Sequence, residues 1–152
     1  MRTPRTLGEA SALRACQQDT GTACAGLVAA GHSEVVRAEG GTYVTVKFGI
    51  YAFDAPENAT VAHKAVGASA RQQATGKVKM MQVDAGADET ESFAEVPKSA
   101  VRGTVKQVVM RVGGAVVRVR SLELDSDAEL TALAKLQVER VRKVAAGENP
   151  DA

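Results

Sequence analysis

Two glycine pairs, Gly40-Gly41 and Gly113-Gly114, each stand between stretches in which apolar residues recur at every second position. Glycine takes positive φ angles at no steric cost, and a two-residue turn of positive φ matches the twist of the strands it joins, so each pair predicts a tight β-hairpin. The second hairpin specifies its own register. Pairing Val112 with Ala115 sets Met110 opposite Val117 and Val108 opposite Val119, which gathers the apolar members on one face. After the first pair, Val44, Val46, Phe48, Ile50 and Ala52 alternate with Tyr43, Thr45, Lys47 and Tyr51 on the other face, the pattern of a half-buried strand. Lys77 to Val83 reads as a further strand.

Between these stretches the period changes to that of a helix. Leu130, Leu133, Ala134, Val141 and Ala145 recur at helical spacing while Lys135, Glu139, Arg140, Arg142 and Lys143 fall outside, predicting a long helix from about Asp127 to Ala146, closed by Gly147. A second long helix runs to about Arg71, with a mostly alanine inner stripe that includes Val61 and Val66. Three segments carry the capping-box pattern, an oxygen-bearing side chain followed three positions later by Glu: Thr6-Leu-Gly-Glu9, Asp54-Ala-Pro-Glu57 and Ser126-Asp-Ala-Glu129. The first predicts a short helix through about Gln17, and Thr22 to about Gly31 predicts another, giving an N-terminal helical hairpin. Strand, Gly-Gly turn, strand and capped helix thus occur twice, about seventy residues apart. The expected fold is α+β: an antiparallel sheet built from two ββα-like units, lying under the two long helices, beside the N-terminal hairpin.

Size and charge narrow the functional classes. The length of 152 residues suits a single domain, 1–152, with polar tails at about 1–5 and 147–152. A net charge of +1 with charges alternating in sign argues against nucleic acid or an anionic membrane as partner, and aromatic residues at 3% without tryptophan leave few stacking platforms for bases. The sequence holds no apolar run of membrane-helix length and no signal-peptide pattern at Met1 to Thr6, so the expectation is a soluble chain without a direct membrane span. Cys16 and Cys24 have no second cysteine pair or adjacent histidine to complete a zinc site. Their spacing suits a local disulfide better than a redox CxxC motif, with two reduced, buried thiols as the alternative.

Chemistry is poorly provided for. His32 follows Gly31 at an expected helix end, and His63 falls on the expected solvent side of its helix beside Lys64; neither belongs to a nucleophile motif or a metal-ligand spacing. Ser11, Ser33, Ser69 and Ser99 lack a Gly-x-Ser-x-Gly context. Met80 and Met81 are adjacent on a strand and point to opposite faces, so one of them packs inward and they do not form a soft-metal pair. The glycine pairs lead from strand to strand, unlike a phosphate loop. The stretch Asp84 to Arg102 has little periodicity and reads as a long loop, the place where sequence-specific function concentrates. Its carboxylates Asp84, Asp88, Glu89 and Glu91 suggest oxygen ligands for calcium, but the spacing matches no EF-hand, and a solvated acidic loop is the plainer reading. No catalytic residue, metal site or cofactor is expected. Asp88, Glu89 and Glu91 are the candidate contact residues, with the sheet face as the next candidate.

The string Tyr43-Val-Thr-Val-Lys-Phe-Gly-Ile-Tyr-Ala-Phe-Asp-Ala-Pro-Glu-Asn-Ala59, with Met110-Arg-Val-Gly-Gly-Ala-Val-Val-Arg-Val119 and a helix ending in Gln137-Val-Glu-Arg-Val141, resembles small exported domains of actinobacteria. These include surface lipoproteins and the extracellular sensor domain of a mycobacterial Ser/Thr kinase. The resemblance covers about two-thirds of the chain and lies in the layout. It implies an extracytoplasmic, disulfide-bonded domain devoted to sensing or binding an unknown protein or small ligand. The chain departs from that pattern in having one cysteine pair and no visible export signal. An intracellular interaction or dimerisation module in the cytoplasm, and an enzyme of unrecognised type, are the alternatives.

Overall fold

Val105–Val112, the stretch before the second glycine pair, is buried along nearly its whole length in the computed structural model, which describes residues 5–96 and 103–152. The elements in chain order are β1 (Arg5–Thr6), α1 (Glu9–Thr20), β2 (Leu27–Glu39), β3 (Thr42–Phe53), α2 (Pro56–Gln72), β4 (Lys77–Met80), β5 (Glu89–Val96), β6 (Val105–Val112), β7 (Ala115–Leu122) and α3 (Asp127–Ala145). The strands form one antiparallel sheet in the order β1-β2-β3-β7-β6-β5-β4. The register read from the sequence holds: Val112 pairs Ala115, Met110 pairs Val117 and Val108 pairs Val119.

The sheet separates two cores. On one face Val44, Val46, Val108, Met110, Val112, Val117 and Val119 pack against Leu130, Ala134 and Val138 of α3. On the other, Ala30, Tyr51, Phe53, Val109 and Val116 meet Ala12 and Cys16 of α1 and Ala59, Ala62 and Val66 of α2. Because both faces of β6 are covered, its residues are buried at odd and even positions alike, with valines on both faces. Lys106, buried on this strand, donates to the Asp125 carbonyl at 2.9 Å and the Asp127 carboxylate at 2.7 Å, tying the start of α3 to the sheet. Ser126 caps α3 as its box predicts, its hydroxyl accepting from the Glu129 amide. The Glu129 carboxylate turns instead to Arg37 of β2.

Several expectations are corrected. The second helix of the N-terminal hairpin does not form: Gly26, at φ +77°, breaks the alanine-rich run, and Leu27 begins a strand that gives β3 a partner from Phe53 onward. Gly26 also lies close against the start of α2, where an added Cβ would collide with the Asp54 and Asn58 side chains. The boxes at Thr6 and Asp54 do not cap; the N-cap positions fall to Gly8 and Ala55, and Asp54 accepts from the Asn58 side chain instead. The stretch from Asp84 is not one long loop, because Glu89–Val96 pairs with β6 as β5; residues 97–102 of that stretch lie outside the described residues. The strand expected over Lys77 to Val83 ends at Met80; Met81 packs on the α3-side core while Met80 is exposed. Val61 is exposed, and the inner stripe of α2 runs through Ala59, Ala62, His63, Val66, Gly67 and Ala70.

The two long helices also lie on opposite faces of the sheet, not together on one. A helix follows each Gly-Gly hairpin, but with antiparallel β3 and β7 side by side, opposite helix faces give the two hairpin–helix units opposite hand. They do not superpose as one repeated unit. Their turns differ too: Gly40 and Gly41 both have positive φ, whereas Gly114 does not and lies against the Phe53 carbonyl.

Cys16 and Cys24 form a disulfide that joins the last turns of α1 to the segment leading into β2. The Thr20 hydroxyl fills the space between, donating to the Cys16 carbonyl at 2.8 Å and lying 3.2 Å from the Cys24 sulfur. The closed loop is short, so the chain-entropy gain is roughly 2–3 kcal/mol. The Cys16→Ser/Cys24→Ser protein is expected to lose about that much unfolding free energy in urea titration, and wild-type protein alkylated without reductant is expected to show no labelled thiol by intact mass.

Candidate functional site

The face of β3 opposite α3 carries Tyr43, Thr45, Lys47, Gly49 and Tyr51, as alternation requires. Two of these have β7 neighbours of like kind: Gly49 pairs Arg118 and Lys47 pairs Arg120. On the other side of β3, His32 of β2 pairs Gly49 and Glu34 pairs Lys47. Because Gly49 has no side chain, and a Cβ built there meets nothing within 4 Å, the sheet is left open at its centre. The resulting cleft, of about 320 Å³, has a floor of Gly31, His32, Lys47, Phe48, Gly49, Arg118 and Arg120, and α1 walls it through Ala15, Gln18 and Asp19.

A polar network fixes that wall. Asp19, one turn past Cys16 on α1, accepts from the Tyr51 hydroxyl at 2.5 Å and from Arg118 Nη1 at 2.9 Å. The Tyr51 oxygen also lies 3.2 Å from the Ala15 carbonyl. Behind them, Arg118 donates from Nε and Nη2 to the buried Gln107 amide oxygen at 3.1 and 2.7 Å. Arg118 is therefore committed to its own chain, and its side chain is 17% exposed. Arg120 is different: among the described residues it has no hydrogen bond or ion pair. Lys47 is held loosely, 3.9 Å from Glu34.

Burial, and after it the hydrogen bond to Asp19, pushes the Tyr51 phenol well above the usual tyrosine range. The folded state thus holds that proton more tightly than the unfolded chain. Its stabilising effect is complete below the ordinary tyrosine value of about 10 and is lost as pH rises beyond it. In the Tyr43→Phe protein, where Tyr51 is the remaining tyrosine, phenolate absorbance is expected to stay flat through pH 10 and to appear together with loss of the folded circular dichroism signal.

The candidate contact residues from the sequence lie elsewhere, Glu89 and Glu91 of β5 facing α2 and Asp88 just before β5, between Arg111 and Arg142 of α3. Asp88 accepts from the Gly113 amide at 2.7 Å and faces Arg111 at 3.6 Å. Glu89 accepts from Arg111 Nε at 2.6 Å, and that bond, ahead of the other charges, holds its carboxyl below the usual range. Glu91 pairs with Arg71 of α2. Each of the three thus meets a cation of its own chain. His63, expected in solvent, is 7% exposed: its Nε2 donates to the Val109 carbonyl at 3.0 Å and its Nδ1 faces Glu89 at 4.0 Å. The Lys64 that follows it lines, with Met80, Gln82, Glu89 and Glu91, a wide hollow of about 610 Å³. His63→Ala is expected to lower unfolding free energy by about 1–3 kcal/mol in chemical denaturation, because it leaves a buried carbonyl without its donor.

His32 alone of the residues weighed individually from the sequence lies in the cleft. The signal for the rest was partial. Arg118 and Arg120 interrupt the apolar pattern of β7 on one side, and Lys47 and Tyr51 stand on the polar side of β3, but nothing local says that these sides are neighbours. Asp19 carried no signal at all.

No family model matches the chain, and no curated protein matches it at a significant level. Among solved structures the chain is similar to the crystal structure of the extracellular domain of PknH from Mycobacterium tuberculosis, with a TM-score of 0.58 and 16% identity, over 90% of this chain and 82% of that one. The likeness is one of fold, an α+β arrangement on an antiparallel sheet, and it agrees with the resemblance in layout to a mycobacterial kinase's extracellular domain.

Proposed function

We propose that residues 1–152 are a single, non-enzymatic, extracytoplasmic binding domain of the sensor type, whose contact surface is the cleft between α1 and strands β2, β3 and β7. The observation that carries this reading is the cleft itself. A glycine keeps the sheet open there, and a hydrogen-bonded Asp19–Tyr51–Arg118–Gln107 network holds its wall in one geometry. Its volume, about 320 Å³, lies at the small end of the usual range for small-molecule sites. The disulfide at the end of α1 and the fold shared with an extracellular domain support a location outside the cytoplasm. A binding role accords with the chemistry of the wall, where Asp19 is already occupied and Tyr51 keeps its proton. Neither is poised to act as a general base.

A second reading places the contact at Asp88, Glu89 and Glu91, beside the 610 Å³ hollow. The two are separated by one experiment. A library of small neutral, cationic and anionic compounds is screened by amide chemical-shift mapping on the wild type, on Gly49→Val, and on Asp88→Ser/Glu89→Ser/Glu91→Ser. The cleft reading expects shifts centred on Gly49 and Arg118 that vanish in Gly49→Val and persist in the triple variant. Loss in the triple variant alone moves the site to the hollow, and binding that follows dimerisation of the chain favours the interaction-module alternative.

A further inference from the structure

We infer that the cleft takes a small anion, held through a compact oxyanion group (phosphate, sulfate or carboxylate) over Gly49 and against Arg120 and Lys47; this rests on the cleft being the binding surface.

The argument is electrostatic. Lys47 and Arg120 are directly opposed on adjacent strands, a placement in which two like charges repel. Arg118 stands two residues from Arg120 on the same side of β7 and adds a third cation. Against these the fold provides Asp19, spent on Arg118 and Tyr51, and Glu34, 3.9 Å from Lys47. Among the described residues the Arg120 guanidinium has no partner, in a walled recess where Asp19, Tyr51 and Arg118 are matched to one another. Among the described residues the other cations that the fold draws from solvent are paired, Lys106 with Asp127, Arg111 with Glu89, Arg118 with Asp19 and Lys143 with the Ala152 carbonyl, whereas cations without a partner such as Arg14, Lys64 and Lys135 are exposed. A local conflict kept where all other levels agree marks a functional position.

The shape suits the same ligand. An oxyanion above Gly49 approaches the backbone without a Cβ in its way, with Lys47 on the same strand and Arg118 and Arg120 on the next. A guanidinium offers a planar pair of N–H groups matched to two oxygens of such a group. His32 and Gln18 remain for the rest of the molecule. The volume, about 320 Å³, suits a small organic anion.

The test titrates the full chain with phosphate, pyrophosphate, sulfate and malonate, each against sodium chloride at matched ionic strength, reading the Gly49 amide and the Arg118 and Arg120 Nε–H signals by NMR, with thermal melting in parallel. Saturable shifts and a raised Tm with at least one oxyanion, absent with chloride, are expected. Stronger response to the phosphates identifies a phosphate ligand, and stronger response to malonate a carboxylate. Arg120→Gln is expected to weaken binding at least about tenfold, as loss of a charge-assisted bond does, while melting no lower than wild type without anion, because a repulsion has been removed. Equal response to chloride and oxyanions, or saturable binding that Arg120→Gln leaves intact, overturns the inference. If the compound library shows neutral or cationic ligands lost in Gly49→Val while the oxyanions behave as chloride does, the cleft stands as a site and the anion assignment alone falls. If nothing of any charge perturbs Gly49, both fall.

Discussion

The pairing of β3 with β7 joins two hairpins that are otherwise separate along the chain, Leu27–Phe53 and Val105–Leu122. That seam runs from Thr45 opposite Leu122 to Ala52 opposite Ala115 and serves both cores at once. On the α3 side it sets Phe48 beside Val119 and Ile50 beside Val117; on the other it sets Tyr51 beside Val116. Sliding it by one residue would turn every one of these side chains to the wrong layer. The same seam brings Gly49 to Arg118 and Lys47 to Arg120, so the register that closes the core also creates the cleft floor.

What converts an open sheet face into a recess is α1. It is held at three points: the disulfide from Cys16 to Cys24, the Asp19 carboxylate on Tyr51 and Arg118, and the apolar contact of Ala12 and Cys16 with the α2-side core. The covalent point lies one turn from the polar one, so the bridge that restrains the end of α1 also restrains Asp19. A wall fixed before a ligand arrives leaves less ordering to be done on binding.

The fold is shared with a kinase's extracellular domain at 16% identity, a level at which architecture persists while surface chemistry is free to change. Recognition therefore has to be argued from this chain's own residues. Here the acidic residues at and just before β5 and Arg120 in the cleft behave oppositely. Asp88, Glu89 and Glu91 each meet a partner and secure β5 and the second Gly-Gly turn. Arg120 meets none among the described residues. A solvated acidic run is conspicuous in a sequence, yet its charges are spent on structure, while Arg120, half-buried and without a partner among the described residues, lies in a strand that reads as ordinary.

Period and local chemistry by themselves determined the β6–β7 register, the alternation of β3, the extent and cap of α3, the mostly alanine character of the inner face of α2, and the Cys16–Cys24 bridge as the favoured reading. These depend on neighbours in the chain or on a single turn. Tertiary structure decided the rest. Leu27 to Gly31 became strand because β3 needed a hydrogen-bonding partner along that length, which outweighs the helix preference of its alanines. Glu89–Val96 became β5 because β6 offered an open edge, although its own sequence is polar. His63 was drawn inward by the Val109 carbonyl, and the helices divided between the two faces because β6 presents an apolar surface to each. The cleft belongs wholly to this second group. Asp19, Gly49, Lys47, Arg118 and Arg120 come from three segments far apart in the sequence, and only the β3–β7 pairing with α1 across it makes them neighbours.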